Sequence, residues 1–278
     1  MTDNYANFEG LLFDRPAPHV LRVTIHNPDQ ANAMNAAMQH SLHAIWPVID
    51  ADADVRVTII TGSGRHFCAG GAFDAMPTGV TEDSGVIEDR GSRFIDDFAN
   101  ARALVRALID SRKPIVSAIN GAAVGAGLAV ALLADIPIAA KTAKLVDGHL
   151  RIGVLPGDHA ALIWPLLCGL AKAKYHLMTN ETITGEQAEA MNLVALAVDA
   201  EDLAGKAIEV AVKLANTAPT ALRMTKYVLN HYLRQNQTIF DLSAALEMAN
   251  FGTTESAEAM RAYLARETPV FPAGRDFR

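Results

Sequence analysis

Short runs rich in β-branched residues, separated by stretches with helical periodicity, constrain the fold of this chain more than any other feature. The runs cover residues 20–25, 55–61, 114–119 and 136–139. Alternation of short strands with helices is typical of an α/β arrangement built from strand–helix units. With 278 residues, the chain is long enough for one large core, or for one core and a smaller appendage. We therefore predict an α/β protein.

The pattern changes along the chain and indicates two regions. A helix is predicted at 35–49 with Asn35 as its N-cap, and another at 92–111. After Gly157 the chain reads as almost wholly helical, with helices predicted at 158–168, 170–179, 185–191, 201–217, 220–235 and 238–266. Residues 77–90 show no periodicity and are predicted to form a loop over a site. We expect an α/β core over 1–200 and a helical region over 201–278.

Composition excludes several classes of function. A net charge of -7 argues against a non-specific nucleic-acid binder, which needs a basic surface. Cys68 and Cys168 offer neither a disulfide framework nor a cysteine-based metal site. The polar N-terminus does not resemble a signal peptide, and the apolar stretch 115–140 is interrupted by polar residues, glycines and a proline. We expect a cytoplasmic protein without a membrane span.

Two segments place small residues where a strand becomes a helix: residues 64–73 and residues 120–129. Small residues let a ligand approach the backbone, and the first N–H groups of a helix lack partners inside the helix. These donors, reinforced by the helix dipole, suit a developing negative charge. Taken singly, each segment is as well explained by close packing or a tight turn. Neither matches a phosphate-binding loop or a dinucleotide fingerprint, so a dehydrogenase is a poor alternative.

Taken together and in order, these segments resemble the crotonase (enoyl-CoA hydratase/isomerase) superfamily. The resemblance is carried by Phe-Cys-Ala-Gly-Gly at 67–71, Lys-Pro-Ile-Val-Ser-Ala-Ile-Asn-Gly at 113–121, Ala-Asp-Ile at 134–136, the turn at 153–157 and the segment 188–194, and it extends over about residues 20–270. It implies a crotonase-like spiral of ββα units followed by a C-terminal helical trimerisation region. It also implies an acyl-CoA thioester substrate, and a homotrimer or dimer of trimers.

The resemblance also implies specific binding residues. The backbone N–H groups of Gly71 and Ala126 are expected to form an oxyanion hole. Ala31 and Ala33, together with Ala69, are expected to contact coenzyme A, although an ordinary turn explains the first two equally well. Coenzyme A enters as part of the substrate, and no metal or redox cofactor is expected because the oxyanion hole supplies the electrophilic help. C-terminal cations such as Arg275 are candidates for its phosphates.

The chain departs from the family at the two glutamates that similar hydratases use to hold water. The first falls at Ala129 and the second at His149. An imidazole can take a proton from water, and a carboxylate can orient it, so we predict His149 and Asp158 as an acid–base pair. The alternatives are that Asp158 is only a helix N-cap and that His149 is an ordinary satisfied histidine. His159 is expected to point away from Asp158, whereas Asp147 is a candidate to orient His149.

Three functions remain open at this stage. The first is a hydratase or double-bond isomerase acting on an enoyl-CoA. Loss of the first glutamate weakens water addition more than isomerisation, which needs one base. The second is a retro-Claisen carbon–carbon hydrolase, because the order His149, Pro-Gly-Asp at 156–158 and Trp-Pro at 164–165 resembles superfamily members similar to 6-oxocamphor hydrolase. The third is a non-catalytic acyl-CoA binder.

Overall fold

A computed structural model describes residues 5–72 and 90–271 of the chain. The strands are β1 (Leu11–Ala17), β2 (Val20–Ile25), β3 (Val57–Gly62), β4 (Ile115–Ile119), β5 (Ala123–Val124), β6 (Ile136–Ala140), β7 (Lys144–Val146), β8 (Ile183–Thr184) and β9 (Leu196–Val198). The α-helices are α1 (Ala36–Ala51), α2 (Arg90–Asp110), α3 (Ala126–Leu132), α4 (Ala160–Cys168), α5 (Leu170–Thr179), α6 (Gly185–Ala190), α7 (Leu203–Ala215), α8 (Pro219–Leu229), α9 (His231–Gln235), α10 (Gln237–Phe251) and α11 (Thr254–Ala265). Short 3₁₀ helices cover Pro28–Gln30 and His149–Ile152.

Two sheets form the α/β part of the molecule. The larger has the order β1-β2-β3-β4-β6-β9, with β1 antiparallel to β2 and all later neighbours parallel. The smaller has the order β5-β7-β8. β3 and β4 are buried along nearly their whole length, as expected for parallel strands covered on both faces. Because β4 leads directly into β5 and α3, the chain passes from the first sheet to the second at the segment 120–126.

Asn32 fixes the turn between β2 and α1 against the segment that follows β3. Its side-chain amide donates to the carbonyl oxygens of Ser63 and His66 at 2.9 and 2.7 Å, and its Oδ1 accepts from Asn27 N–H at 2.9 Å. The residue is completely buried and has φ 58°, a left-handed conformation that asparagine tolerates well. One side chain therefore satisfies backbone groups from two loops.

The predicted helices and strands agree with the structure in part. The four predicted runs are strands, but β1, β5, β7, β8 and β9 were not predicted. The single helix predicted at 238–266 is wrong: it divides at Gly252, where α10 ends and Thr253 caps α11. The helix predicted at 220–235 likewise divides at Asn230. The predicted loop 77–90 lies outside the described residues except for Arg90, the first residue of α2, and so does Arg275.

One continuous apolar core runs through both halves of the chain. Leu203 and Ala211 of α7, and Phe240 of α10, belong to the same buried cluster as the strands. Lys226 of α8 donates from Nζ to Asp135 Oδ2 at 2.8 Å, which ties the helical region to the start of β6. The division near residue 200 stays a prediction, and the described core does not separate there. Within residues 5–72 and 90–271, no helix has the length and apolar character that crossing a membrane requires.

Candidate active site

A cavity of about 570 Å³ is lined by the two glycine-rich segments, through residues 69–72 and 124–126, and by residues of α10. Residues of α1, α2, α3 and α11 and of the segment 147–152 also line it. Its lining includes Gly71, Ala126, His149 and Asp158, so the structure brings all four sequence-predicted catalytic positions to one space.

The two predicted oxyanion donors face this cavity from neighbouring backbone segments. Gly71 follows a stretch that pairs with the start of β5, where Val124 N–H donates to Cys68 O at 3.0 Å. Ala126 is the first residue of α3, and the preceding Gly125 has φ 47°, which turns the chain sharply into the helix. Among the described residues, neither the Gly71 nor the Ala126 N–H donates to a backbone carbonyl. Both donors are therefore available to a ligand.

His149 opens the 3₁₀ helix after β7, and its ring is held from behind by Asp147. Nδ1 donates to Asp147 Oδ1 at 2.9 Å, and the same oxygen lies 3.3 Å from the His149 backbone N–H. A Cβ placed on Gly125 would lie 3.6 Å from His149 Cε1, so the imidazole is adjacent to the Ala126 segment. Because a carboxylate only accepts, Nδ1 carries a hydrogen and Nε2 is the nitrogen left for chemistry.

Glu247 of α10 is the site residue that sequence reasoning missed. Its Oε1 lies 3.3 Å from His149 Nε2, and its Oε2 is buried without a hydrogen-bond partner among the described residues. Glu247 is 3% exposed and lies on the inward face of α10 with Phe240 and Ser243. An acidic residue at that buried helical spacing was the available signal, because carboxylates are almost never buried without a partner.

Gly157 allows α10 to approach the site this closely. A Cβ at this position would lie 2.3 Å from Ser243 O and 2.6 Å from Glu247 Cβ. Contacts that short do not occur, so any other residue would push α10 away from His149. Ser243 also donates from Oγ to Gly157 O at 2.8 Å, which fixes the turn against the helix.

Asp158 lies in the site, but its environment differs from the prediction in two ways. Its Oδ2 is 3.8 Å from His149 Nε2, an ion-pair distance longer than a hydrogen bond. It is not the N-cap of α4, which begins at Ala160. The expectation that His159 points away is wrong, since His159 Nδ1 bonds Asp158 Oδ1 at 2.5 Å. Both residues precede α4, which starts two residues later than the predicted helix 158–168.

Burial and charge together set the protonation of this cluster. Burial lowers the pKa of His149, but the carboxylates of Asp147, Asp158 and Glu247 outweigh it and hold that pKa well above its ordinary value. Burial raises the pKa of Glu247 to about 7, against the opposing effect of His149. Burial also acts to raise the pKa of Asp158, but His159 and His149 reverse the effect and lower it to about 2. One carboxyl of the cluster therefore exchanges protons near neutral pH.

Other predicted residues take supporting places. Ala129 lines the cavity one turn beyond Ala126 and presents only a methyl group there. Ala69 lines the cavity, and its N–H donates to Ala31 O at 3.1 Å, which joins the 27–35 turn to the first glycine-rich segment. Ala33 is half-buried beside Asn32. Trp164 is a core residue, 1% exposed. Ligating atoms of Asp147, His149 and Asp158 lie within 4.8 Å of one another, a set that could hold a cation.

The fold and site together define an α/β protein whose cavity offers free backbone N–H groups beside a buried imidazole–carboxylate cluster. The family model described as enoyl-CoA hydratase/isomerase matches residues 17–274. The chain belongs to this family, within the crotonase superfamily, and is an enzyme of the hydratase/isomerase type. The predicted superfamily and the crotonase-like α/β fold are thereby confirmed.

Individual relatives are similar over nearly their full length. The chain is 30% identical over 256 residues to a 1,2-epoxyphenylacetyl-CoA isomerase of Escherichia coli strain K12, covering 91% of this chain and 94% of the relative. It is 32% identical over 256 residues to a probable enoyl-CoA hydratase of Bacillus subtilis, covering 90% and 93%. Among solved structures, an enoyl-CoA hydratase/isomerase from Mycobacterium paratuberculosis superposes with a TM-score of 0.83 at 28% identity, covering 92% of this chain and 99% of that one.

Proposed function

We propose that this enzyme binds an acyl-CoA thioester with its carbonyl oxygen at the N–H groups of Gly71 and Ala126. Both N–H groups border the cavity and have no backbone acceptor among the described residues. When a proton leaves the carbon next to the thioester, negative charge develops on that oxygen. Two fixed donors stabilise such an enolate, and one donor contributes about 3 kcal/mol.

The proton is exchanged by the pair His149 and Glu247, with Asp158 as a fixed anion and Asp147 bonded to the far side of the imidazole. The observation that carries this proposal is the 3.3 Å contact between His149 Nε2 and Glu247 Oε1 beside the oxyanion donors. Because the pKa of Glu247 is raised to about 7, its carboxylate can accept a proton and return it at neutral pH. In this proposal Glu247 takes the proton-exchanging role that the sequence assigned to Asp158, and Asp158 stays an anion beside His149.

Double-bond isomerisation of an enoyl-CoA is the reaction that this geometry supports best. Isomerisation removes a proton at one carbon and returns it at another along the same enolate, so one exchanging group suffices. Water addition needs a further group that holds the water, and Ala129 provides no carboxylate at the position where similar hydratases have one. Both reactions belong to the chemistry named for the family.

Carbon–carbon hydrolysis of a β-diketone or a β-ketoacyl-CoA is the second candidate. The contact that favours it is Asp147 behind His149 Nδ1, which leaves Nε2 facing the cavity as a base for water. Hydroxide would attack a ketone, the carbon–carbon bond would break, and the departing enolate would take up a proton. This reaction requires an unprotonated Nε2, and the raised pKa of His149 opposes that at neutral pH.

The decisive experiment is product mass spectrometry in oxygen-18 water with enoyl-CoA and β-ketoacyl-CoA thioesters. An unlabelled product with a shifted double bond supports isomerisation. Label in a 3-hydroxyacyl-CoA would replace isomerisation by hydration, and label in a released carboxylate would establish the second candidate. His149→Ala serves as the inactive control. Failure of the wild-type enzyme on every thioester would leave the non-catalytic acyl-CoA binder.

Coenzyme A contacts, assembly and location remain part of the proposal. We expect backbone groups of Ala31, Ala33 and Ala69 to contact coenzyme A, supported by the hydrogen bond that joins Ala31 to Ala69. A homotrimer or dimer of trimers is supported by exposed apolar side chains on α8 to α10: Met224, Tyr227, Tyr232, Leu242 and Leu246. Light scattering after gel filtration tests the assembly, and fractionation tests the cytoplasmic location.

A further inference from the structure

His159 is a buried histidine whose ring makes one polar contact. It is 0% exposed, and Nδ1 lies 2.5 Å from Asp158 Oδ1. Its Nε2 has no hydrogen-bond partner among the described residues. Its backbone carbonyl accepts from Leu162 and Ile163 at 3.0 Å, so the start of α4 holds the residue in place.

These contacts determine which nitrogen of His159 carries the hydrogen. A carboxylate oxygen only accepts, so Nδ1 must donate. The Nδ1–H of the ring is therefore aimed at Asp158 Oδ1.

Asp158 consequently has two histidines on its two oxygens. Oδ1 accepts from His159, and Oδ2 faces His149 Nε2 at 3.8 Å. The pKa of Asp158 falls to about 2 because these histidines outweigh its burial. Asp158 is thus held as an anion in the same cluster in which burial raises the pKa of Glu247 to about 7. Two carboxyls beside one imidazole, Glu247 buried and Asp158 half-buried, therefore have pKa values shifted in opposite directions.

We propose that His159 is a positioning residue that keeps Asp158 a fixed anion directed at His149, which confines proton exchange to His149 and Glu247. The proposal rests on the proposed function only in naming that pair as the proton-exchanging groups. A histidine buried only for packing would stabilise the fold without affecting the titration of Asp158 or the rate of turnover.

The test is a carbon-13 NMR titration of the Asp158 carboxyl in the ligand-free protein, with Asp158→Asn for assignment. In the wild type, the signal should not titrate between pH 5 and 8. In His159→Leu, which keeps bulk and removes the donor, the midpoint should rise by at least about one pH unit. His159→Asn, whose amide can still donate, should restore most of the wild-type behaviour. His176→Leu, at a half-buried histidine of α5 outside the cluster, is the matched control.

Turnover provides the second readout. In His159→Leu, kcat should fall by about tenfold while KM changes little. The acidic limb of the pH profile of kcat should move to higher pH. The proposal is overturned if Asp158 of the wild type titrates between pH 5 and 8, a result that needs no variant to fold. It is equally overturned if His159→Leu lowers only the melting temperature. Because the titration needs no substrate, a failed assignment of the reaction would not be confused with either result.

Discussion

Glu247 Oε1 lies 3.3 Å from His149 Nε2, although the two residues come from a helix and a turn far apart in the chain. Among the residues that the structure describes, the ring of His149 would otherwise have only Asp147 within hydrogen-bonding distance and Asp158 at 3.8 Å. The contact places the Glu247 carboxyl, whose pKa is raised to about 7, beside the His149 imidazole, whose pKa is well above its ordinary value. The pair, more than either residue alone, determines how this site responds to pH.

Replacing His149 by alanine should abolish most turnover. The substitution removes the imidazole between the carboxylates, and general acid–base groups contribute about 10²–10⁴-fold to kcat. Steady-state kinetics on the thioester identified by mass spectrometry provides the measurement. His231→Ala, at an exposed histidine of α9, is the control and should behave as wild type. Retention of full activity in His149→Ala would contradict the proposed role.

Replacing Ala126 by proline should remove one oxyanion donor with little change in the fold. Ala126 is the first residue of α3, where proline is well tolerated because its N–H has no partner inside the helix. We expect kcat to fall about 10²–10³-fold while the melting temperature changes little. Ala126→Gly keeps the N–H and should keep the activity. Equal activity in the proline and glycine variants would place the thioester oxygen elsewhere.

Replacing Glu247 by glutamine should change how stability depends on pH. The folded pKa of Glu247 is raised to about 7, above the ordinary value of 4.5, so the folded state binds a proton that the unfolded state releases. The stabilisation of the folded state by this proton is complete below pH 4.5 and is lost as the pH rises through 7. In thermal denaturation from pH 5 to 8.5, the melting temperature of the wild type should decline as the pH rises. The decline should be weaker in Glu247→Gln, and at pH 8.5 the melting temperature of the variant should be no lower than that of the wild type. Parallel curves would mean that Glu247 is ionised throughout.

Replacing Asn32 by alanine should destabilise the protein without altering its chemistry directly. The change removes the amide donor to Ser63 O and the acceptor of the Asn27 N–H, and it places alanine at a left-handed φ. We expect a loss of about 2–4 kcal/mol in the free energy of unfolding. Urea denaturation measures it, with Gln30→Ala at an exposed neighbouring position as control. A loss no larger than that of the control would show that water replaces the amide.

Removing divalent cations should leave turnover unchanged. The proposed mechanism draws its electrophilic help from two backbone N–H groups, although Asp147, His149 and Asp158 are close enough to hold a cation. Dialysis against a chelator, followed by assay with and without added zinc or magnesium, tests this. Activity that disappears on dialysis and returns with a metal ion would require a metal-assisted reaction in place of the one proposed.

The sequence allowed prediction of those features that depend on local pattern. Four strands and the two glycine-rich segments follow from short runs, and the positions of Gly71, Ala126, His149 and Asp158 followed from the family resemblance that those segments carry. β5, β7, β8 and β9 have only two or three residues each, which is too short for periodicity to reveal. The break at Gly252 was missed although Gly252 and Thr253 are typical of a helix end and of an N-cap.

Glu247 and His159 could not be placed because their importance depends on tertiary contacts. The helical spacing places Glu247 on the inward face of α10, but only the packing of α10 against Gly157 shows that it meets His149. His159 follows Asp158 directly, and neighbours on a regular helix do not face each other. Its contact with Asp158 arises because both residues precede α4, a boundary that sequence patterns predict only to within a few residues.

The fit of α10 against Gly157 limits how this active site can be transferred to another scaffold. A segment containing residues 146–160 would carry the histidines and two of the carboxylates into a relative, but not the helix that supplies Glu247. A recipient with any side chain at the position of Gly157, or a bulkier residue facing it from the helix, would separate the two halves. Grafting this chemistry therefore requires the turn and the helix to be moved as a single matched unit.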